Sequence, residues 1–183
     1  YIHNDINSGA CAVRNQAIML AQGEYITGID DDDEWTPNRL SVFLAHKQQL
    51  VTHAFLYAND YVCQGEVYSQ PASLPLYPKS PYSRRLFYKR NIIGNQVFTW
   101  AWRFKECLFD TELKAAQDYD IFLRMVVEYG EPWKVEEATQ ILHINHGEMQ
   151  ITSSPKKFSG YFHFYRKHKG KFDRASTKYQ LFT

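Results

Sequence analysis

Gly23-Glu24-Tyr25-Ile26-Thr27-Gly28-Ile29 runs directly into Asp30-Asp31-Asp32-Asp33-Glu34-Trp35, and Thr36-Pro37 follows. Tyr25 to Ile29 is short, rich in β-formers and bracketed by glycine, which predicts a buried strand. Thr36 before Pro37 has the pattern of an N-cap with proline at the first helical position, so a helix is expected to begin at once. Between the two elements stand four adjacent aspartates. Four anions this close cannot all stay ionised without a cation or wide solvation. Two readings are open: a solvated acidic loop, or a hard divalent cation, Mg²⁺ or Mn²⁺, held through one or two carboxylates. Position favours the second, because ligands of open α/β sheets gather at the carboxyl ends of strands. A calcium EF-hand loop is excluded. With Asp30 at its first position, Trp35 would replace the required glycine and Ser41 the closing glutamate.

Upstream, Ala10, Val13, Ala17, Leu20 and Ala21 mark an amphipathic helix after the turn at Asn7-Ser8-Gly9, with Gly23 as its stop. Arg14 lies near its start, either as a surface charge or as a phosphate clamp at the helix's positive end. Tyr1 to Asp5 reads as a strand already in progress, which suggests a chain beginning inside a larger domain. Downstream, Leu40, Phe43, Leu44 and Leu50 predict a helix packed on the sheet. His53 to Asn59 reads as the next strand, and Asp60 to Tyr68 as a hairpin turning at Gln64-Gly65. Ser69 to Ser83 is a Pro- and Ser-rich surface loop whose Tyr77 and Tyr82 either line a sugar site or anchor the loop.

Arg84 to Arg90 suggests a short basic helix, and two apolar runs flank Gly94-Asn95. Ile121, Phe122, Met125, Val126 and Tyr129 form a helical stripe from Gln117 to Gly130, and Trp133 to Glu137 and Thr139 to Ile144 read as two strands. Asp118 stands at the start of that helix, one turn before Phe122 and on its inward side. Capping and the helix dipole account for such a residue. So does a general base at the mouth of a pocket. Of His143 and His146, the latter precedes Gly147 where strand becomes loop, and is the better ligand candidate.

The tail carries an aromatic stripe, Phe158, Tyr161, Phe162 and Tyr165, followed by Arg166, Lys167, His168, Lys169 and Lys171. This predicts a terminal helix docked by its aromatic face, with contact to an anionic membrane surface as a second role. The 183 residues suit one domain, and a net charge of +1 gives no general pull toward nucleic acid. An aromatic content of 16% supplies ample apolar bulk for a core or a binding face. Cys11, Cys63 and Cys107 are odd in number and widely spaced, which fits reduced thiols in a cytoplasmic protein. No apolar run approaches a membrane span.

Three blocks together resemble the inverting family 2 glycosyltransferases of the GT-A fold. They are Asn7-x-Gly9 with Val13-Arg14-Asn15-x-Ala17 and Ala21-x-Gly23-Glu24-Tyr25-Ile26, then Ile29 to Leu40, then Gln117-Asp118-Tyr119-Asp120-Ile121-Phe122-Leu123-Arg124. The resemblance implies an α/β fold, a GT-A-like (Rossmann-like) mixed sheet flanked by helices, lacking the first strands of the nucleotide-binding half. It implies a single catalytic domain fragment. Residues 1–52 are the remainder of the nucleotide- and metal-binding part, 53–150 the acceptor-binding part and 151–183 the aromatic and basic tail. Carried over residue by residue, Asp32 and His146 would hold Mn²⁺ or Mg²⁺, and Arg14, Asp30 and Asp31 would meet the nucleotide-sugar, a UDP-sugar. Asp118 would deprotonate the acceptor hydroxyl. The implied partners are a nucleotide-sugar and a saccharide or lipid-linked acceptor in cell-surface polysaccharide synthesis, at the cytoplasmic face of the membrane. Two departures stand out: Gln117 replaces the family's usual glutamate, and the strands that hold the donor's base and ribose are not in this sequence. The alternative is an inactive carbohydrate- or partner-binding domain on the same scaffold.

Overall fold

A computed structural model describes residues 2–64, 74–144 and 156–182. Its centre is a six-stranded mixed sheet ordered β1-β5-β3-β6-β2, comprising β1 (Tyr25–Thr27), β2 (Glu34–Trp35), β3 (Leu56–Gln64), β5 (Phe98–Trp100) and β6 (Trp133–Ile144). The short β4 (Leu76–Tyr77) pairs with β3. The middle pair, β3 and β6, is parallel, and the other pairings are antiparallel. The helices are α1 (Ala10–Leu20), α2 (Arg39–Ala45), α3 (Arg84–Phe87), α4 (Ala101–Cys107), α5 (Gln117–Tyr129), α6 (Lys156–His168) and α7 (Arg174–Phe182).

Alternation along β3 divides the core. Phe55 and Tyr57 enter one cluster with Ile18, Phe104, Phe122 and Phe164, while Leu56 and Ala58 enter the other with Phe43, Phe98 and Val135. Helices α1, α4, α5 and α6 therefore cover one face of the sheet and α2 the other. Both clusters are nearly dry, and burying each large side chain in them contributes roughly 1.5–3 kcal/mol.

Several expectations need correction. The strand before the aspartates ends at Thr27 and is only half-buried, because among the described residues β1 stands at the edge of the sheet with β5 as its one neighbour. The helix does not start at Thr36. Glu34-Trp35 first pairs with Ile141 and Gln140 of β6, Thr36 closes a turn on Arg39, and α2 begins at Arg39. Leu40 and Leu44 stay exposed, and only Phe43 and Leu50 reach the core. Residues 2–9 form no strand. The strand expected from His53 begins at Leu56 and continues unbroken to Gln64, and the turn expected at Gln64-Gly65 reaches beyond the described residues. The two strands expected between Trp133 and Ile144 are one strand, whose register against β3 shifts around Asn59.

The tail is turned differently from expectation. Among its described residues Gly160, Phe164, His168 and Ser176 are buried, whereas of the expected stripe Phe158, Tyr161 and Phe162 are exposed and Tyr165 is half-buried against Phe172. Gly160 is required there, since a Cβ would lie 2.4 Å from the backbone nitrogen of Ala115. Asp120 of α5, wholly buried, fastens α6 by accepting from His168 Nε2 (2.7 Å) and Lys167 Nζ (2.9 Å), and it also holds Arg124 (2.9 Å). These three partners outweigh the cost of its burial and bring its carboxyl down to about 2.

Candidate active site

β1, β3 and β6 run in the same direction, and the acidic turn leaves the carboxyl end of β1 to carry the chain toward β2 at the opposite edge. The turn is closed by the Asp33 amide donating to the Asp30 carbonyl (3.1 Å). Within it, Asp30, Asp32 and Asp33 each present a carboxylate oxygen within 4.8 Å of the others. Asp31 points out to solvent and is not in this group. Asp33, for which the sequence offered no role, is in it.

Four neighbours hold the turn in place. Asn95 Nδ2 donates to Asp30 (2.8 Å) and to Asp33 (3.0 Å), and Gln96 Nε2 donates to Asp30 (3.1 Å). Gln140 Nε2 and the His143 amide donate to Asp33 at 2.8 and 3.3 Å. Burial nevertheless raises the Asp33 carboxyl above its ordinary value, and the Asp30 and Asp32 charges add to that. Gly28 leaves room for Gln96, whose Oε1 would sit 2.3 Å from a Cβ at that position. Sequence patterning has no signal for Asn95 and Gln96, because their contacts with the acidic turn reach residues more than sixty positions away.

Arg14 joins this turn to the far end of the chain. Its Nη2 donates to Asp30 at 2.6 Å and its Nη1 to Asp118 at 3.3 Å. The neighbouring Asn15 explains the placement. It exchanges two hydrogen bonds with the Phe109 backbone (2.7 and 2.8 Å), locking α1 against the turn before α5, and the Arg14 guanidinium lies over the Phe109 ring. Asp118 is the second residue of α5 and keeps 27% of its side chain exposed, facing a cleft of about 510 Å³. Desolvation pushes its carboxyl up to about 7. Arg14 opposes the rise and Asp30 adds to it. Asp118 and Arg14 thus line one cleft, and Arg14 ties Asp30, with Asp32 next to it, to that wall. His146 lies outside the described residues; His143, nearby on β6, pairs its ring with Glu34 (2.8 Å).

A second cavity of about 400 Å³ adjoins the first across Asn95, with Tyr77, Arg90 and Asn91 on its wall above the buried Lys79–Asp60 ion pair (2.9 Å). A carboxylate oxygen set of this kind suits a hard cation such as Mg²⁺ or Mn²⁺ rather than a soft one. The three oxygens lie close enough together for one ion to reach them.

The family model described as "Glycosyl transferase family 2" matches residues 1–109. The chain belongs to glycosyl transferase family 2. A relative from Escherichia coli K12, WcaA, named as a glycosyl transferase of colanic acid biosynthesis, is 99% identical over 183 residues, which is 100% of this chain and 66% of that one. A second relative, from Escherichia coli, is named "UDP-Glc:alpha-D-GlcNAc-diphosphoundecaprenol beta-1,3-glucosyltransferase WfaP". It is 32% identical over 87 residues, covering 48% of this chain and 34% of its own length. The crystal structure of S. aureus TarS 1-349 in complex with UDP-GlcNAc matches with a TM-score of 0.64 at 16% identity, over 95% of this chain and 51% of that one. That likeness is one of fold, and it is the GT-A arrangement that the sequence blocks imply. The chain spans about two thirds or less of the length of these relatives. Among the described residues, no helix is long and apolar enough to cross a membrane.

Proposed function

We propose that this site transfers a sugar from a UDP-sugar to a hydroxyl of a saccharide or lipid-linked acceptor, with inversion at the anomeric carbon. The observation that carries the reading is Arg14 bridging Asp30 of the acidic turn and Asp118 of α5. Asp118 accepts the proton of the acceptor hydroxyl as its oxygen attacks the anomeric carbon and the bond to the diphosphate breaks. One displacement inverts the centre. A carboxyl brought to about 7 suits this work, because proton transfer is most efficient when the base titrates near the working pH. Its partial burial among fixed groups keeps it oriented, which its cleft-facing position at the start of a rigid helix favours.

Arg14 meets the diphosphate and Asp30 the ribose side of the donor, with Asp31 at the rim. Asp32, with Asp30 and Asp33 in reach, would hold Mn²⁺ or Mg²⁺, which supplies positive charge against the departing diphosphate. His146 is proposed as a further ligand. The cavity beside Asn95 takes the acceptor saccharide, with Tyr77 offering a ring face and Arg90 and Asn91 offering donors. What supports a UDP donor is the UDP-Glc activity for which WfaP is named and the UDP-GlcNAc complex of TarS. The name of the near-identical Escherichia coli relative, a colanic acid biosynthesis glycosyl transferase, supports a cell-surface polysaccharide as product; the reaction is proposed to run at the cytoplasmic face of the membrane.

Calorimetry with UDP and Mn²⁺ tests this. The chain should bind UDP only with the metal, Asp32→Ala should weaken that binding, and Asp118→Asn should leave it nearly unchanged while abolishing transfer. If neither this chain nor a version extended at its amino terminus binds UDP, the site is a non-catalytic carbohydrate- or partner-binding scaffold instead.

A further inference from the structure

Residues 156–183 contain eight lysines and arginines and a single acidic residue, whereas the preceding 155 residues contain thirteen and nineteen. The chain's near-zero net charge therefore hides a strongly basic end on an acidic body. Helical geometry sorts that end into two faces. Gly160, Phe164 and His168 lie inward, and Lys167 turns in to Asp110 and Asp120. Phe158, Phe162 and Arg166 then fall on the opposite, outward side, at steps of four residues, and the exposed Lys169 follows in the short 3-10 turn after α6. Phe158 is 77% and Phe162 46% exposed, and their rings stack 6.4 Å apart, with planes within 7° of parallel. Two exposed stacked rings at one end of a row and two exposed cations at the other match a helix lying in a lipid headgroup layer.

The surface continues beyond α6. Lys171, Arg174 and Lys178 are exposed along the next turn and α7. Gln180 of α7 donates to the Tyr88 and Lys89 carbonyls, so α7 sits against the end of α3, which brings Arg85 and Lys89 into the same area. There Asp173 is held low by its bonds to Ser176 and, further, by the charges of Lys89 and Arg85.

We propose that the outward row of α6 and the turn after it, together with the basic surface on α7 and the end of α3, is a docking face for an anionic lipid bilayer. Rings inserted among headgroups and cations over anionic lipid act together, and neither alone holds a protein firmly. The docking does not depend on the transferase reading, although it would serve one with a lipid-linked acceptor.

Co-sedimentation of the chain with phosphatidylglycerol–phosphatidylcholine vesicles tests it. The expected result is binding at least about tenfold stronger than to pure phosphatidylcholine vesicles, and weakened by salt. The pairs Phe158→Ser with Phe162→Ser, and Arg166→Glu with Lys169→Glu, should each lower it by about tenfold. All four positions face solvent, so thermal unfolding should be unchanged and serves as the folding control. Equal binding to neutral vesicles, or full binding by both double variants, overturns the proposal. A dimer in sedimentation velocity that disappears with Phe158→Ser and Phe162→Ser, without vesicle binding, overturns it in favour of a second copy of the chain. UDP binding is measured separately on the same samples, so failure here and failure of the transferase reading are told apart.

Discussion

Asp118→Asn should make the protein inactive and more stable, and the size of the gain follows from the cleft. The carboxyl sits where desolvation takes it from an ordinary 3.8 to about 7, although Arg14 pulls the other way. A carboxyl raised in the folded state costs no stability at low pH, where it is protonated both folded and unfolded. The cost grows as pH rises from 3.8 and is complete above about 7. About three pH units at about 1.36 kcal/mol each set an upper bound of about 4 kcal/mol at pH 8. Asparagine cannot ionise, and its carbonyl oxygen can still accept from Arg14, which also keeps Asp30 as partner. Urea unfolding of both forms should therefore show a stabilisation of about 1–4 kcal/mol at pH 8, falling below about half of that at pH 5. Such a trade of stability for function is expected where a site keeps a strained group. A variant no more stable than the parent at pH 8, or a gain that does not depend on pH, would refute this account of Asp118.

Three further outcomes follow. The rate of transfer should fall as pH drops through about 7, because Asp118 works ionised, and the acid limb of kcat/KM for the free protein reads that titration directly. Asp120→Ala leaves Lys167, His168 and Arg124 without their shared anion and should cost about 3–5 kcal/mol in denaturant unfolding. The parent's own Asp120 contribution, present above 3.8, should fade only as pH falls toward about 2. Gly160→Ala drives a methyl into the Ala115 backbone and should cost about 1–3 kcal/mol in the same assay, without altering UDP binding.

Local pattern reaches some of this fold well. α1 and α5 are legible because each has a long apolar stripe and a glycine near its end. The acidic turn is legible because four adjacent carboxylates have few inexpensive settings. What stays hidden depends on distant partners. Glu34-Trp35 has no strand pattern and pairs only because β6 lies alongside. β6 reads as two strands because Glu136-Glu137 interrupts its alternation, and the register shift against β3 absorbs that break. α4 follows β5 without a break at Trp100-Ala101, amid aromatic residues that suit a strand equally. The face of α6 is misread for a simpler reason: Gly160 and His168 flank Phe164 on it, and neither a missing side chain nor an imidazole adds to a hydrophobic stripe. Asp32 and Asp118 are legible as candidates, but Asn95, Gln96 and Gln140 are ordinary amides until the chain brings them to the turn.

The two hydrogen bonds of Arg14 make it a shared counter-ion, and sharing has a kinetic consequence. A diphosphate arriving beside Asp30 competes for the same guanidinium, and any charge it draws away is lost to Asp118. Since Arg14 lowers the affinity of Asp118 for protons, its departure would make that carboxylate a stronger proton acceptor. Asp118 would then be a weaker base in the empty cleft and a stronger one once the donor is bound, so that its reactivity rises only when there is a sugar to transfer. Carbon NMR titration of Asp118 with and without UDP would read this directly, and an identical midpoint in both states would dismiss it.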